Sequence, residues 1–166
     1  MSQWETERTV TQSVLERLID RDPDMPSEPP PTRSQSVRQL KSALRRDLEW
    51  LLNTRRTPDA AGREFRELEQ SLYNYGVPDL TMINRESTHD RNRLAQAIEQ
   101  TVAAFEPRLK RIKIRQLEAA AGTQHILRFQ IEGFLDMDPA PELISFDTVL
   151  QLSSGEYQVK GDSGAG

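Results

Sequence analysis

Proline at position 107 divides this chain into two halves that obey different rules. Proline has no amide hydrogen and drives the residue before it out of the α region, so Glu106 is the last residue a helix running through Thr101-Val102-Ala103-Ala104-Phe105 could include. Beyond Pro107 the apolar period changes from helical to two, with Ile112 and Ile114 alternating with Arg111, Lys113 and Arg115. The corner sets a carboxylate and a guanidinium, Glu106 and Arg108, between two residues expected to be buried, Phe105 and Leu109. A bend of this kind is rigid, and it is the place where a function that depends on shape is expected.

Upstream of the corner the spacing predicts helices. Val10, Val14, Leu15, Leu18 and Ile19 form a short amphipathic one with Thr9 or Thr11 as cap. Pro23, Pro26, Pro29, Pro30 and Pro31 then favour extended geometry over packing, which puts that helix on a tether. It must dock on its own domain or on a partner, because a helix this short is marginal alone. A second, longer helix carries Val37, Leu40, Leu44, Leu48, Leu51 and Leu52 on one stripe, with Arg38, Lys41, Arg45 and Arg46 turned away and Ser34 or Ser36 as cap. Phe65, Leu68, Leu72, Tyr73 and Tyr75 lead into Tyr75-Gly76-Val77-Pro78-Asp79, a rigid reversal, since Gly76 can take a positive φ and Pro78 has a fixed one. Asp79 is expected to cap a turn at Leu80–Ile83. A third helix, from Thr88 to Phe105, has Leu94, Ile98, Val102 and Phe105 as its inner stripe.

Downstream, His125, Leu127, Phe129, Ile131, Gly133 and Leu135 alternate with polar residues after a turn at Ala120–Thr123, and Ile144, Phe146, Thr148, Leu150 and Leu152 follow. Ser153-Ser154-Gly155 turns into a last strand with Tyr157 and Val159. Helices before strands imply an α+β fold, with the N-terminal helices packed on one face of a small antiparallel β-meander. Residues 1–33 are read as the amphipathic helix and Pro-rich tether, 34–160 as a single domain and 161–166 as a loose tail. With 166 residues and 36% hydrophobic content, one core can be built but hardly two.

A net charge of -4 gives no general attraction to nucleic acid or to an anionic membrane. The absence of cysteine excludes disulfides, thiolate zinc sites and a thiol nucleophile. Two histidines, His89 and His125, leave no metal spacing, and no cofactor is expected. The first 20 residues are too charged for a signal peptide or a membrane span, so a cytoplasmic protein without direct membrane insertion is expected. Of the 22 basic residues 18 are Arg, the better residue for forked, partly desolvated contacts between proteins.

Two further basic surfaces are therefore candidates. From Arg33 to Arg56 seven basic residues face two acids, and Arg55 and Arg56 stand where the second helix breaks, suited to an acidic partner. The first strand carries Arg108, Lys110, Arg111, Lys113 and Arg115 with no acid before Glu118. Such charge either protects a sheet edge from aggregation or accepts an acidic partner strand by strand addition. No catalytic constellation is present: there is no phosphate loop, nucleophile elbow or metal motif. A peptidoglycan hydrolase acting through Glu106 is the enzymatic alternative, but a guanidinium beside a carboxyl favours its ionised form, the wrong state for a general acid.

Five ordered blocks, Ser13–Leu18, Arg46–Arg56, Ser71–Leu80, Phe105–Leu109 and Phe146–Thr148, resemble TssE, the type VI secretion baseplate family related to the sheath-initiating wedge proteins of contractile phage tails. Some members of that superfamily carry a lysozyme-like label. The resemblance implies a structural protein of the baseplate wedge at the cytoplasmic face of the inner membrane. Its implied partners are TssF, TssG and TssK in the wedge and the sheath proteins TssB and TssC. It also implies that the Glu-Pro-Arg corner, here Glu106, Pro107 and Arg108, is an interaction motif toward the wedge, and that the strands template the first sheath ring.

Overall fold

The computed structural model describes residues 13–19, 23–24, 32–58, 65–69, 71–79, 84, 87–118, 125–138 and 140–162. Helix α1 spans Val14–Leu18, α2 Arg33–Asn53, α3 Arg66–Glu69 and α4 Thr88–Phe105, with a single 3₁₀ turn at Leu72–Asn74. Strands β1 (Leu109–Leu117), β2 (Ile126–Leu135), β3 (Glu142–Gln151) and β4 (Glu156–Asp162) form one antiparallel sheet in the order β1-β2-β3-β4. The expected α+β fold and meander are present.

The core lies between α2, α4 and one sheet face. Leu40, Leu44, Leu48, Leu51 and Leu52 of α2 and Leu94, Ile98 and Val102 of α4 meet Leu127, Phe129, Ile131, Leu135, Ile144, Phe146 and Leu150. Each buried Leu contributes roughly 2 kcal/mol, against less than 1 for an exposed pair such as Arg45–Glu49, so the apolar stripe sets the roll of α2. α2 lies along β4 and α4 runs into β1 through the corner.

Several expectations need correction. α2 is capped by Thr32 and not by Ser34 or Ser36: Thr32 accepts from the Gln35 amide while the Gln35 side chain accepts from the Thr32 amide. Ser36 is instead buried, with its hydroxyl donating to the Thr32 carbonyl. α1 is capped by Ser13; Thr9 and Thr11 lie outside the described residues. Lys41, Arg45 and Arg46 are not turned away from the fold, because they flank the apolar stripe and their long stems reach back. Lys41 meets Glu142 at 2.7 Å, Arg45 donates to the Val159 carbonyl, and Arg46 meets Glu16 at 2.7 Å. At the corner Phe105 is only half-buried, edge-on to Tyr75, whereas Glu106 is 4% exposed. β4 continues through Gly161 and Asp162, two residues that were read as loose. The turns at Leu80–Ile83 and Ala120–Thr123 and most of the Pro-rich segment lie outside the described residues.

Candidate functional site

The corner forms as the proline argument requires. α4 ends at Phe105, the Glu106 amide still donates to the Val102 carbonyl, and the Glu106 carbonyl accepts from Leu109 where β1 starts. This closes a tight bend that turns both charged side chains inward. Arg108 grips Glu106 with its Nε, 2.6 Å from Oε1, and with its Nη2 on Oε2, and the same Nη2 donates to Asp47 Oδ2 at 2.7 Å. Pro107 is exposed beside them.

The ion pair is one part of a longer chain of charge. Asp47 uses its other oxygen, Oδ1, to accept from Arg46 at 3.0 Å, and Arg46 also meets Glu16 of α1, whose side chain is 2% exposed. Glu16, Arg46, Asp47, Arg108 and Glu106 thus alternate in sign from α1 through α2 to the corner. The hydrogen bond to Glu106 raises the Arg108 pKa above its ordinary range, more than burial lowers it. Burial works against the Arg46 cation as well, but its bonds to Asp47 and Glu16 outweigh it. Burial, then the charges of Asp47 and Glu106, push the Tyr75 phenol up. Arg108 Nη1 has no bond among the described residues, and the side chain is 24% exposed, so two donors point outward from a guanidinium that is otherwise fixed.

Arg55, Arg56 and the basic residues of β1 do not join this cluster. Arg55 and Arg56 are exposed after α2, where the Val77 amide donates to the Thr54 carbonyl and the Arg56 amide donates to the Val77 carbonyl. Arg111, Lys113 and Arg115 are exposed on β1: Arg111 lies 5.8 Å over the Phe134 ring and Arg115 is 3.3 Å from Glu132. Arg111 has φ 52° in a β-bulge between Lys110 and Lys113, a device that twists an edge strand.

The two sheet edges differ. On β4, Asn53 accepts from the Tyr157 amide and donates to the Tyr157 carbonyl, both at 2.8 Å, while Glu49 and Arg45 take the Val159 amide and carbonyl. Side chains of α2 therefore occupy the outer edge of β4. Among the described residues nothing does this for β1, which is the open edge.

Tyr157 lines a cavity of about 480 Å³ beside Asn53, Arg55 and Val77, and its hydroxyl is buried with no partner among the described residues. Burial raises its pKa above the ordinary phenol value. A raised pKa contributes stability that is complete below about pH 10 and is lost as pH climbs through the folded value. Tyr157→Phe is therefore expected to leave stability at pH 8 unchanged or up by about 1 kcal/mol. It should also flatten the decline above pH 10, as read by urea unfolding at pH 8 and 11; an equally steep decline in both proteins would refute this.

Sequence reasoning paired Glu106 with Arg108 but missed Glu16, Arg46, Asp47 and Tyr75. All four lie within the blocks that carried the resemblance, which was the available signal. A family model described as baseplate wedge protein gp25 matches residues 38–140, a span that contains most of α2, the reversal, α4, the corner, β1 and β2. Neither a curated protein nor a solved structure matches the chain.

Proposed function

The chain belongs to the baseplate wedge protein gp25 family, in agreement with the TssE resemblance, and from that membership we propose that it is a non-enzymatic adaptor of a type VI secretion baseplate. In this reading the corner holds the wedge, with Arg108 Nη1 offered to an acceptor on TssF, TssG or TssK. The open β1 edge, basic through Lys110, Arg111, Lys113 and Arg115, receives a strand of the first TssB–TssC sheath ring in the cytoplasm. Arg55 and Arg56 give a third, smaller contact to an acidic surface.

The observation that carries the reading is the inequality of the edges. One is closed by three α2 side chains, and the other carries a row of cations and no cap among the described residues. Against the hydrolase alternative stands the state of its acid: Glu106 is 4% exposed and both its oxygens are held by Arg108. The test is Lys113→Glu/Arg115→Glu. Both residues are exposed, but Lys113 lies opposite Glu132 across the strand pair and Arg115 is 3.3 Å from it, so the like charges should cost about 1 kcal/mol, which leaves the fold intact. Co-sedimentation with polymerised TssB–TssC should fall at least about tenfold, since like charges now meet an acidic strand. Unchanged sheath binding would remove β1 from the proposal.

A further inference from the structure

Arg55 and Arg56 are neighbours in the chain but line two different hollows. α2 ends at Asn53, Thr54 is extended, Arg55 bridges in parallel to Val77 and the Arg56 amide donates to the Val77 carbonyl, so the backbone runs here as a short extended strip. Successive side chains of such a strip point to opposite sides. Arg55 lines the cavity of about 480 Å³ that also takes in Leu52, Val77, Leu150 and Tyr157. Its Nη2 lies over the β3–β4 turn, 3.5 Å from where a Cβ on Gly155 would stand. Arg56 lines a second hollow, of about 410 Å³, against α4, beside Gln100, Thr101, Ala104 and Phe105. Pro78 lines both, so the strip and Pro78 form a ridge between them.

We propose that this ridge binds an extended acidic segment of a partner protein, which straddles it and lowers one carboxylate beside each Arg. The inference rests on the reading of Arg55 and Arg56 as an acidic contact and gives that contact its shape. Neither guanidinium has a hydrogen bond or ion pair among the described residues, and a free fork takes a carboxylate through two parallel bonds. The local charge selects the occupant. Arg55 and Arg56 face one carboxylate among the described lining residues, Asp79, and that one is not free. Both hollows have the size of sites that enclose a small ligand or side chains. An extended segment fits because its alternate residues face one way, about 6–7 Å apart, so two acids separated by one residue can reach down on either side of the ridge. A flat acidic surface would meet only the outer ends of the two guanidinium groups.

The probe is a fluorescein-labelled peptide of alternating Glu and Leu, titrated with the purified full-length chain and followed by anisotropy; a copy with Gln in place of Glu is the uncharged control. The variants are Arg55→Gln, Arg56→Gln, Ser153→Trp and Ala104→Trp, with Arg38→Gln as the protein control. Ser153 lines the first hollow and Ala104 the second, so tryptophan fills each without altering charge, and all five positions are exposed. Each of the four variants should bind the acidic peptide about tenfold more weakly. Arg38→Gln should match wild type, and the Gln copy should not bind. A loss confined to one Arg and its own hollow overturns the straddling segment and leaves the acidic contact standing. So does a loss in the two Arg variants with full affinity in the two Trp variants, since the acids would then stay above the surface. Wild-type affinity in both Arg variants, equal binding of the Gln copy, or no binding by wild type overturns the inference and the contact together.

Discussion

Arg108→Met is expected to lower folding stability by about 3–5 kcal/mol and to abolish wedge binding. The variant leaves Glu106, 4% exposed, with a single long bond from the backbone amide of residue 108 in place of a bidentate guanidinium, and an uncompensated buried charge costs about that much. Asp47 keeps Arg46, so the damage concentrates on Glu106. The check is urea unfolding of Arg108→Met, Glu106→Gln and the double variant. Removing both charges should recover much of the loss, because what destabilises the single variant is the orphaned carboxylate and not a missing attraction. A single-variant loss under about 1 kcal/mol, or a double variant worse than the sum, would mean that the pair does not act as described. The sign of the pH dependence follows from the raised Arg108 pKa. Its stabilisation is complete below the ordinary arginine range and disappears only on rising through the folded value, so from neutral pH to pH 9 the wild-type advantage should hold steady. Arg108→Lys serves the binding question, because it retains a charge near Glu106 while giving up the fork that leaves Nη1 facing outward.

Gly76→Ala should cost a further few kcal/mol at a site that carries no charge. Gly76 has φ +104°, and an added Cβ would fall 2.2 Å from the Thr54 carbonyl oxygen and 2.8 Å from its carbon. The obstruction is backbone, and it cannot swing away. Thr54 accepts from the Val77 amide at 2.9 Å and Val77 accepts from Arg56 at 2.9 Å, so retreat would break the pairing of the two segments. Backbone strain of about 1–3 kcal/mol adds to an overpacking cost of similar size, giving roughly 3–5 in all. Gly155→Ala is the internal control. It also has a positive φ, +70°, but its Cβ would meet only the end of the Arg55 side chain at 3.5 Å, so strain alone, about 1 kcal/mol, is expected. Equal losses in the two variants would show that the close approach at Thr54 relaxes easily. The structural consequence is distinct as well: Tyr75 precedes Gly76 and packs on Phe105 with ring centres 5.3 Å apart, so Gly76→Ala should loosen the corner and blunt wedge binding in proportion to lost stability.

The four blocks other than Phe146–Thr148 converge in space: Glu16 from the first, Arg46 and Asp47 from the second, Tyr75 from the third and Glu106 with Arg108 from the fourth lie in or against one network. Taken singly they were a short helix, a basic helix face, a turn and a bend. Their meeting was not legible, because Asp47 and Arg108 are 61 positions apart and nothing in the local pattern of either names the other.

What the residues settled unaided were the properties that arise from near neighbours. Pro107 ended α4, the two apolar periods separated helices from strands, the Leu stripe chose the inner face of α2, and Gly76 made the reversal, since each follows from sterics or burial within a few positions. Tertiary structure alone decided the rest. It chose Thr32 over Ser34 as cap through the reach of the Gln35 side chain. It closed the β4 edge with Asn53, Glu49 and Arg45, and among the described residues it set no such cap on β1. It also buried Glu16 of α1 against the Arg46 guanidinium. Polar side chains are placed by the partners the fold delivers to them, and long-range partners have no periodicity to betray them.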